Sequence, residues 1–516
     1  MRSSRHRGSI TVALTLSLGA CPRSPANEET SESTGTDPAE TDTAAPSDTT
    51  QAPPATTSTA GDNLTTTGDP TGDPTGDPSA ADESSDTDPP IACLDSDQLA
   101  AQLQTTLAGV ELDAVWDLDD GAPIDRPPNV DLAVITFQPG CPPASANVLL
   151  SNDAADVHTS SIDPVSAAVT DITWRSWSYD RWSGAIPWDA PWPPQSSIGP
   201  ATGSLDFMVP NPASLFKVLV GVGIALGLDQ GTIALDDPIS VTNVPGGGFT
   251  GTVGEAMDRM LTASENGATS AAIARLHQAG LLPDLLHDTL DGLGLYTLRI
   301  EGTQPDGDWT PPGAVDTTGR FHMTAWDTAR LLWLLDRRAP EATWEVDGAP
   351  VDSSFLSDRS KDYLLGLLAD QGWHEVLSTT ALCGLPGRQP GIPARMPERW
   401  FDDPAAGDYG VTVEGIPLSD DVRPCNDLAE VSFAHKTGLT QNFGSDAGIV
   451  TGLRDRGHER HYIVSFIANL GYRYTDPRLA AMYGNPCFDA DLCYSQQIAS
   501  LGLALDQWLS SQLQAP

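Results

Sequence analysis

The sequence predicts an α+β fold in which segments from both ends of a folded unit share one antiparallel sheet flanked by helices, with an all-helical part between them. Three observations predict it: a helix and a strand come early in the chain, a long helical run fills its middle, and three strands and a helix close it. These segments are 95–109 and 130–140, then 214–338, then 429–438, 446–453, 460–471 and 499–513.

The first 21 residues have the layout of a secretory signal peptide. A basic start precedes an apolar run, residues 10–18, that is too short to remain as a membrane-spanning helix. The sequence LGAC at 18–21 resembles the lipobox of bacterial lipoproteins, which implies that Cys21 becomes a lipid-modified N-terminus that anchors the chain to a membrane. The alternative is a plain secreted protein with a chance cysteine beside an ordinary cleavage site.

A tether should separate this anchor from the folded unit. Residues 22–92 are almost entirely Thr, Ser, Asp, Glu, Pro, Gly and Ala, so they cannot bury enough apolar surface to offset their ordering entropy and should be disordered. The folded unit is then 93–516, with insertions near 151–205 and 340–430. Because the residues after Cys21 do not resemble the inner-membrane retention signal of enteric bacteria, we expect an exported protein of the outer membrane and periplasm.

Charge and cysteine content exclude several classes of function. Asp plus Glu number 70 against 27 Lys plus Arg, and the net charge of -43 argues against nucleic acid or an anionic membrane surface as a partner. Six of the seven cysteines remain once Cys21 is set aside, which indicates disulfides in an exported chain. Sequence proximity favours the pairs 93–141, 383–425 and 487–493. None has the spacing of a zinc site, so we expect no metal or other cofactor, and we expect a monomer.

The early elements follow from local patterns. Asp95 and Ser96 supply a cap for the first helix, and residues 130–140 read as a strand that ends at a turn. We interpret the tryptophans of the first insertion as packing on the main body, although they could also stack on sugar rings. These residues are Trp174, Trp177, Trp182, Trp188 and Trp192.

The later elements are also predicted from local sequence patterns. An apolar helix begins near Ser214 and ends at glycines, and residues 252–280 have helical periodicity in two parts, broken around 264–267. Residues 324–338 predict an amphipathic helix with a threonine cap and a basic C-terminal end. The β-branched and aromatic content of the segments after 429 predicts the three late strands.

Ser214 and Lys217 are the first pair with chemical potential. At i and i+3 near a helix start they lie on one face. A serine hydroxyl needs a base to become a nucleophile, and an amine buried among apolar neighbours has a lowered pKa, because desolvation disfavours its charged form. The helix start also offers backbone N–H groups to a developing oxyanion.

Two further triplets complete the pattern. Ser264-Glu265-Asn266 falls in the predicted break between helices, where it could point into a cleft or simply cap the second helix. Lys436-Thr437-Gly438 lies in a predicted strand, where it offers a cation, a hydroxyl and close backbone approach, or marks the end of an edge strand.

In this order the three elements resemble the S-x-x-K, S-D-N and K-T-G set of class A β-lactamases and penicillin-binding proteins. The flanking segments are similar to that family over roughly 205–505, with about thirty extra residues before the third element. The resemblance implies a β-lactamase-like fold and an exported enzyme that acts on β-lactams or peptidoglycan peptides.

Roles follow from the resemblance only at matching positions. Ser214 would be the acylated nucleophile and Lys217 its proton acceptor, directly or through water. Ser264 would pass a proton to the leaving nitrogen, and Asn266 would hold the substrate amide. The substrate carboxylate would be bound by Lys436, Thr437 and Gly438, and the oxyanion by the backbone N–H groups of Ser214 and Leu439.

The sequence departs from the family where the acyl-enzyme is hydrolysed. Glu301 falls near the place of the family's catalytic glutamate, but the E-x-x-L-N pattern is absent, so Glu301 is either the deacylation base or a solvated loop carboxylate. Glu265 also replaces the usual Asp. Three functions therefore stay open: a class A-like β-lactamase, a D-Ala-D-Ala carboxypeptidase or other serine hydrolase, and a non-catalytic glycan-binding envelope protein.

Overall fold

The computed structural model describes residues 92–513 except 113–114, 118–121, 125–126, 152–155, 177–196, 201–202, 243, 245–246, 310–320, 386, 441, 457–458 and 476–495. The predicted signal segment with Cys21, the tether up to residue 91, the predicted pair Cys487 and Cys493, and four of the five tryptophans of the first insertion lie outside the described residues. No helix within the described part is long and apolar enough to cross a bilayer.

The helices are α1 (Ser96–Gly109), α2 (Lys217–Asp229), α3 (Val253–Thr262), α4 (Asn266–Gln278), α5 (Asp284–Gly292), α6 (Ala325–Leu335), α7 (Asp358–Ala369), α8 (Arg423–Asn426) and α9 (Gln496–Leu513). The strands are β1 (Trp116–Asp117), β2 (Ala122–Pro123), β3 (Val130–Thr136), β4 (Ala144–Leu150), β5 (His158–Thr159), β6 (Ile172–Arg175), β7 (Leu205–Met208), β8 (Pro238–Val241), β9 (Phe249–Thr252), β10 (Arg299–Ile300), β11 (Phe321–His322), β12 (Glu345–Val346), β13 (Ala349–Pro350), β14 (Phe401–Asp403), β15 (Asp408–Val413), β16 (Ile416–Ser419), β17 (Val431–Leu439), β18 (Gly444–Gly452), β19 (His461–Ala468) and β20 (Tyr474–Thr475).

The main sheet has six antiparallel strands in the order β17, β18, β19, β3, β4, β5. Its first three strands come from the C-terminal part of the chain and its last three from the N-terminal part, with helices α2 to α8 between them in sequence. The predicted α+β arrangement is therefore confirmed. Strand β17, which carries the third predicted triplet, is an edge strand.

Both faces of the central strands are buried, and β3 and β19 are buried along almost their whole length. Successive side chains point to opposite faces. Leu132 and Val134 join the apolar cluster that includes the buried leucines of α1 and α9, whereas Ala133 and Ile135 join the cluster that includes α2, α4 and α6. The helical part is thus packed on one face and the terminal helices on the other.

Local signals set the helix boundaries. Asp95 and Gln98 form a capping box at α1, and Thr324 caps α6. One boundary was predicted wrongly: α6 ends at Leu335 and does not reach 338. Asp336 leaves the helical conformation, and its carboxylate binds the His461 side chain on β19 at 2.5 Å, so this hydrogen bond takes the place of another helical turn.

Both predicted insertions contribute to the body of the protein. In the first, Trp174 lies on β6, is buried, and packs edge-to-face on Phe207 of the parallel neighbour β7, which confirms a packing role for this tryptophan. In the second, helix α7 joins the main core. The following segment forms a separate small sheet, β14, β15 and β16, with its own apolar cluster.

Two of the three predicted cysteine pairs are confirmed. Cys93 is bonded to Cys141, and Cys383 is bonded to Cys425. The first bond joins the segment before α1 to the turn after β3. The second closes the loop that contains the small sheet.

Candidate active site

Ser214 lies in a short 3-10 turn, Ala213–Phe216, that leads directly into α2. In this tighter helix three residues make one turn, so Lys217 follows Ser214 on the same face. Ala213 has a left-handed φ of 49° and its N–H is held by the Asn211 Oδ1 at 2.8 Å. Such strained backbone is typical of functional sites because surrounding contacts must enforce it.

The Lys217 Nζ is fully buried and points to the break between α3 and α4. It donates to the Ser264 carbonyl oxygen, to Ser264 Oγ at 3.1 Å and to Asn266 Oδ1 at 2.8 Å. Among the hydrogen bonds of the described residues, none joins Lys217 to Ser214. Catalytic hydrogen bonds are often absent before substrate binds, so the predicted role of Lys217 stays a prediction.

Lys436 approaches the same hydroxyl from β17. Its ammonium is also fully buried and donates to Ser264 Oγ at 2.9 Å and to the Thr437 carbonyl oxygen at 2.7 Å. The Ser264 hydroxyl oxygen thus accepts from two lysines. Ser264 has a left-handed φ of 63°, which shows how tightly the break is held.

Burial sets the protonation of both lysines. Burial lowers the pKa of Lys217 well below its usual range, and the nearby Lys436 charge lowers it further. Burial also lowers the pKa of Lys436 to about 7, although the charges of Asp446 and Glu375 act in the opposite direction. A neutral Lys217 can accept a proton, whereas Lys436 retains part of its positive charge near neutral pH.

A buried polar network that sequence patterns did not predict lies beside Lys436. His435 and Asp446, paired at 2.7 Å between β17 and β18, are both fully buried, and the Leu377 N–H binds the other Asp446 oxygen at 3.1 Å. The His374 ring packs edge-on against His435 with centroids 4.5 Å apart. Burial lowers the pKa of His435 and raises that of Asp446. Polar residues inside otherwise apolar strands were the available sequence signal.

Gly438 brings the edge strand against the Ser214 turn. A Cβ at this position would lie 2.5 Å from the Pro212 oxygen and 2.7 Å from the Leu215 nitrogen. Ser445 on β18 also holds the Ser214 turn against the sheet, because its hydroxyl donates to the Pro212 oxygen at 2.6 Å. The structure therefore brings Lys436, Thr437, Gly438 and Leu439 together with Ser214, Lys217, Ser264 and Asn266.

Glu301 is not joined to this group. It is exposed just after β10, and none of the interactions of the described residues links it to the lysines or serines of the site. The loop that follows does reach the site: the Trp309 ring packs on Phe216, and its Nε1 donates to Ser270 Oγ on α4 at 3.0 Å. The described residues contain no cluster of His, Cys, Asp and Glu suited to a metal ion.

No protein-family model matches the chain, and no curated protein matches it. Solved structures to which it is similar include PBP-A, at 15% identity with 80% of this chain and 97% of that chain covered and a TM-score of 0.39. A class A β-lactamase from Bacteroides cellulosilyticus is 16% identical, with 79% and 99% covered and a TM-score of 0.37. A β-lactamase from Sphaerobacter thermophilus is 13% identical, with 79% and 94% covered and a TM-score of 0.38. Likeness at this level does not transfer an activity.

Proposed function

We propose that the protein is a serine hydrolase of the β-lactamase and penicillin-binding type, and specifically a class A-like β-lactamase that opens the lactam amide through an acyl-enzyme on Ser214. One observation carries the proposal: the Ser264 Oγ lies 3.1 Å from the Lys217 Nζ and 2.9 Å from the Lys436 Nζ, beside a strained serine turn. Burial disfavours the charged form of a lysine, and a lysine that is neutral near neutral pH can act as a base.

Acylation would proceed in two proton transfers. Neutral Lys217 takes the Ser214 proton, directly or through water, as Oγ attacks the amide carbonyl and forms a tetrahedral oxyanion. Collapse of this intermediate breaks the C–N bond, and the leaving nitrogen receives the Ser264 proton. Lys217 then returns its proton to Ser264 along their hydrogen bond, so that both side chains regain their starting states.

Substrate binding would use the remaining groups. The charge of Lys436 and the Thr437 hydroxyl would hold a carboxylate, and Asn266 would hold the substrate amide. The oxyanion would accept from the backbone N–H groups of Ser214 and Leu439, which suit that role because a helix start and a strand end present rigid donors without reorganisation.

Hydrolysis of the ester requires an activated water, and Glu301 would be its base. The exposure of Glu301, without a described link to the site, favours a second candidate function. A protein that acylates Ser214 but hydrolyses the ester slowly would behave as a penicillin-binding protein, with a D-Ala-D-Ala carboxypeptidase activity or a related one on peptidoglycan peptides.

Time-resolved intact mass spectrometry after mixing with benzylpenicillin tests both candidates. We expect a transient adduct of one penicillin with catalytic loss of the lactam, and neither in Ser214→Ala. A stable adduct would favour the penicillin-binding candidate over the β-lactamase. Absence of any adduct on wild-type Ser214, with folding verified by circular dichroism, would overturn the serine hydrolase proposal.

The anchor is proposed from the sequence of residues 1–21. We propose that the chain is exported and held in the cell envelope, at the outer membrane, by a lipid on Cys21. Growth with a labelled fatty acid should label the wild-type protein and leave Cys21→Ser unlabelled. Label that persists in the variant would place the lipid elsewhere.

A further inference from the structure

The small sheet of the second insertion is fastened to the break that carries Ser264. The Gly372 N–H donates to the Thr262 oxygen at 2.8 Å, and the Trp373 Nε1 donates to the Ala263 oxygen at 2.8 Å. Gly372 and Trp373 thus bind the backbone oxygens of the two residues that directly precede Ser264. Within the insertion this anchored segment precedes the small sheet, so these two hydrogen bonds help to set the position of the sheet relative to Ser264.

Strand β15 of the insertion packs on the same anchor. A Cβ on Gly372 would lie 2.8 Å from both the Val413 and the Trp400 side chains, so these two side chains close over the glycine. The Trp400 Nε1 also donates to the Asp370 oxygen at 2.8 Å. Val413 is the last residue of β15, and the next residue, Glu414, is therefore held beside the α3–α4 break.

Glu414 and Gly415 form the two-residue turn between β15 and β16. Val413 pairs with Ile416, and both turn residues are left-handed, with φ of 51° and 76°. This is the tight hairpin turn that matches strand twist. Glu414 is exposed and Ile416 is 45% exposed, so the hairpin presents a carboxylate beside an apolar surface.

The Glu414 charge reaches the site. It raises the pKa of both Lys217 and Glu265, while Glu265 itself is ion-paired with Arg259 at 2.5 Å. Val413 packs on Gly372, whose N–H binds the Thr262 oxygen two residues before Ser264, so the charges of Glu265 and Glu414 act on the part of the site that contains Ser264. In the proposed reaction this is the side of the leaving nitrogen.

Resting on the proposed acylation of Ser214, we propose that Glu414 is a specificity-determining residue that favours substrates whose leaving-group half carries a cationic centre. The hairpin supplies the charge and Ile416 supplies an apolar contact for the same substituent. A carboxylate there repels substrates with additional negative charge on the leaving-group half. The net charge of -43 on the chain acts in the same direction at longer range.

The test uses two cephalosporins with the same acyl side chain, one with a pyridinium and one with a neutral group on the leaving-group half. The measured quantity is the ratio of their second-order acylation constants, cationic over neutral. Glu414→Asn removes the charge and Glu414→Asp retains it in a side chain of the same shape, and both tolerate left-handed backbone. For unit charges roughly 8 Å apart near a protein surface, the unscreened interaction changes such a constant by about 30-fold, and screening over a Debye length of about 8 Å reduces this to about fourfold.

We expect the ratio to fall about fourfold in Glu414→Asn and to stay near wild type in Glu414→Asp. Salt at about 1 M should reduce the wild-type ratio towards that of Glu414→Asn, because screening shortens the reach of the charge. Glu341→Gln, at an exposed loop position after α6, removes one charge elsewhere and should leave the ratio unchanged.

The outcomes separate this inference from the proposed function. Equal ratios in wild type and Glu414→Asn, with Ser214 still acylated, would overturn the role of Glu414 and leave the serine hydrolase proposal intact. A ratio that falls equally in Glu414→Asp and Glu414→Asn would assign the effect to the turn instead of the charge, and would also overturn it. No acylation of Ser214 by either cephalosporin would overturn both.

Discussion

Replacing Gly438 by alanine tests the contact that joins the edge strand to the Ser214 turn. The new Cβ would lie 2.5 Å from the Pro212 oxygen and 2.7 Å from the Leu215 nitrogen, and both are backbone atoms that cannot rotate away. The Ser445 hydroxyl, 2.4 Å from the Cβ, can rotate but would then lose its bond to Pro212. The variant must separate β17 from the turn.

The size of the shift follows from these distances. Ordinary contact begins at 3.4 Å, so the turn must move by roughly 0.9 Å at Pro212 and 0.7 Å at Leu215. Misplacement of a reacting group by about 1 Å can lower a rate by about 100-fold. We therefore expect acylation of Ser214 to slow by about 100-fold, and the free energy of unfolding to fall by about 1–3 kcal/mol, the usual cost of overpacking.

Gly366 provides the matched control. It lies within α7, and a Cβ there would meet no atom within 4 Å. Gly366→Ala should leave acylation unchanged and raise the free energy of unfolding by about 0.5–1 kcal/mol through helix propensity. Acylation is followed by intact mass and unfolding by urea titration. Wild-type acylation by a folded Gly438→Ala variant would refute the idea that this close approach positions Ser214.

Three further predictions concern charge and crosslinking. Because the pKa of Lys436 is lowered to about 7, the ratio of kcat/KM for a carboxylate-bearing lactam to that for its methyl ester should fall about tenfold from pH 6 to pH 8; a flat ratio would argue against Lys436 as the carboxylate ligand. Burial raises the pKa of Asp131 to about 7, so the folded state binds this proton more tightly than the unfolded chain, and the resulting stabilisation is lost as pH rises towards 7. From pH 5 to pH 8 the free energy of unfolding should therefore fall by about 2–3 kcal/mol more in wild type than in Asp131→Asn. Equal urea-unfolding curves for the two proteins would contradict a buried proton on Asp131. Replacing Cys383 and Cys425 by serine removes a crosslink whose loop closure is worth about 4 kcal/mol in the unfolded chain. Limited proteolysis should then cut the chain within 401–419. An uncut segment would show that the small apolar cluster is enough to keep the small sheet folded.

Local patterns were sufficient for most elements of the fold. The Asp95 cap, the break before Asn266 and the Thr324 cap depend on residues only a few positions apart, so they could be predicted from neighbouring letters. The end of α6 could not, because Asp336 leaves the helix to bind His461, 125 residues further along the chain. Proximity in sequence was also enough for the two confirmed disulfides.

The candidate site likewise has features that local patterns determine and features that only the tertiary structure determines. The sequence by itself determined which residue types are present and that Ser214 and Lys217 share a helix face, since that needs only a three-residue spacing. The tertiary structure alone decided that Ser264, 47 residues from Lys217 and 172 from Lys436, receives hydrogen bonds from both lysines. Chain closure over such distances depends on the packing of the whole sheet and its helices, which no local pattern encodes.

The same reason explains the residues that the sequence did not reveal. His435 and Asp446 are polar residues in two separate strands, and only the register of β17 against β18 makes them a buried pair. Glu414 is one of many acidic residues until the Val413 contact with Gly372 holds its turn beside the α3–α4 break. Composition determined that the chain is acidic, and only the fold determined which carboxylate stands next to the site.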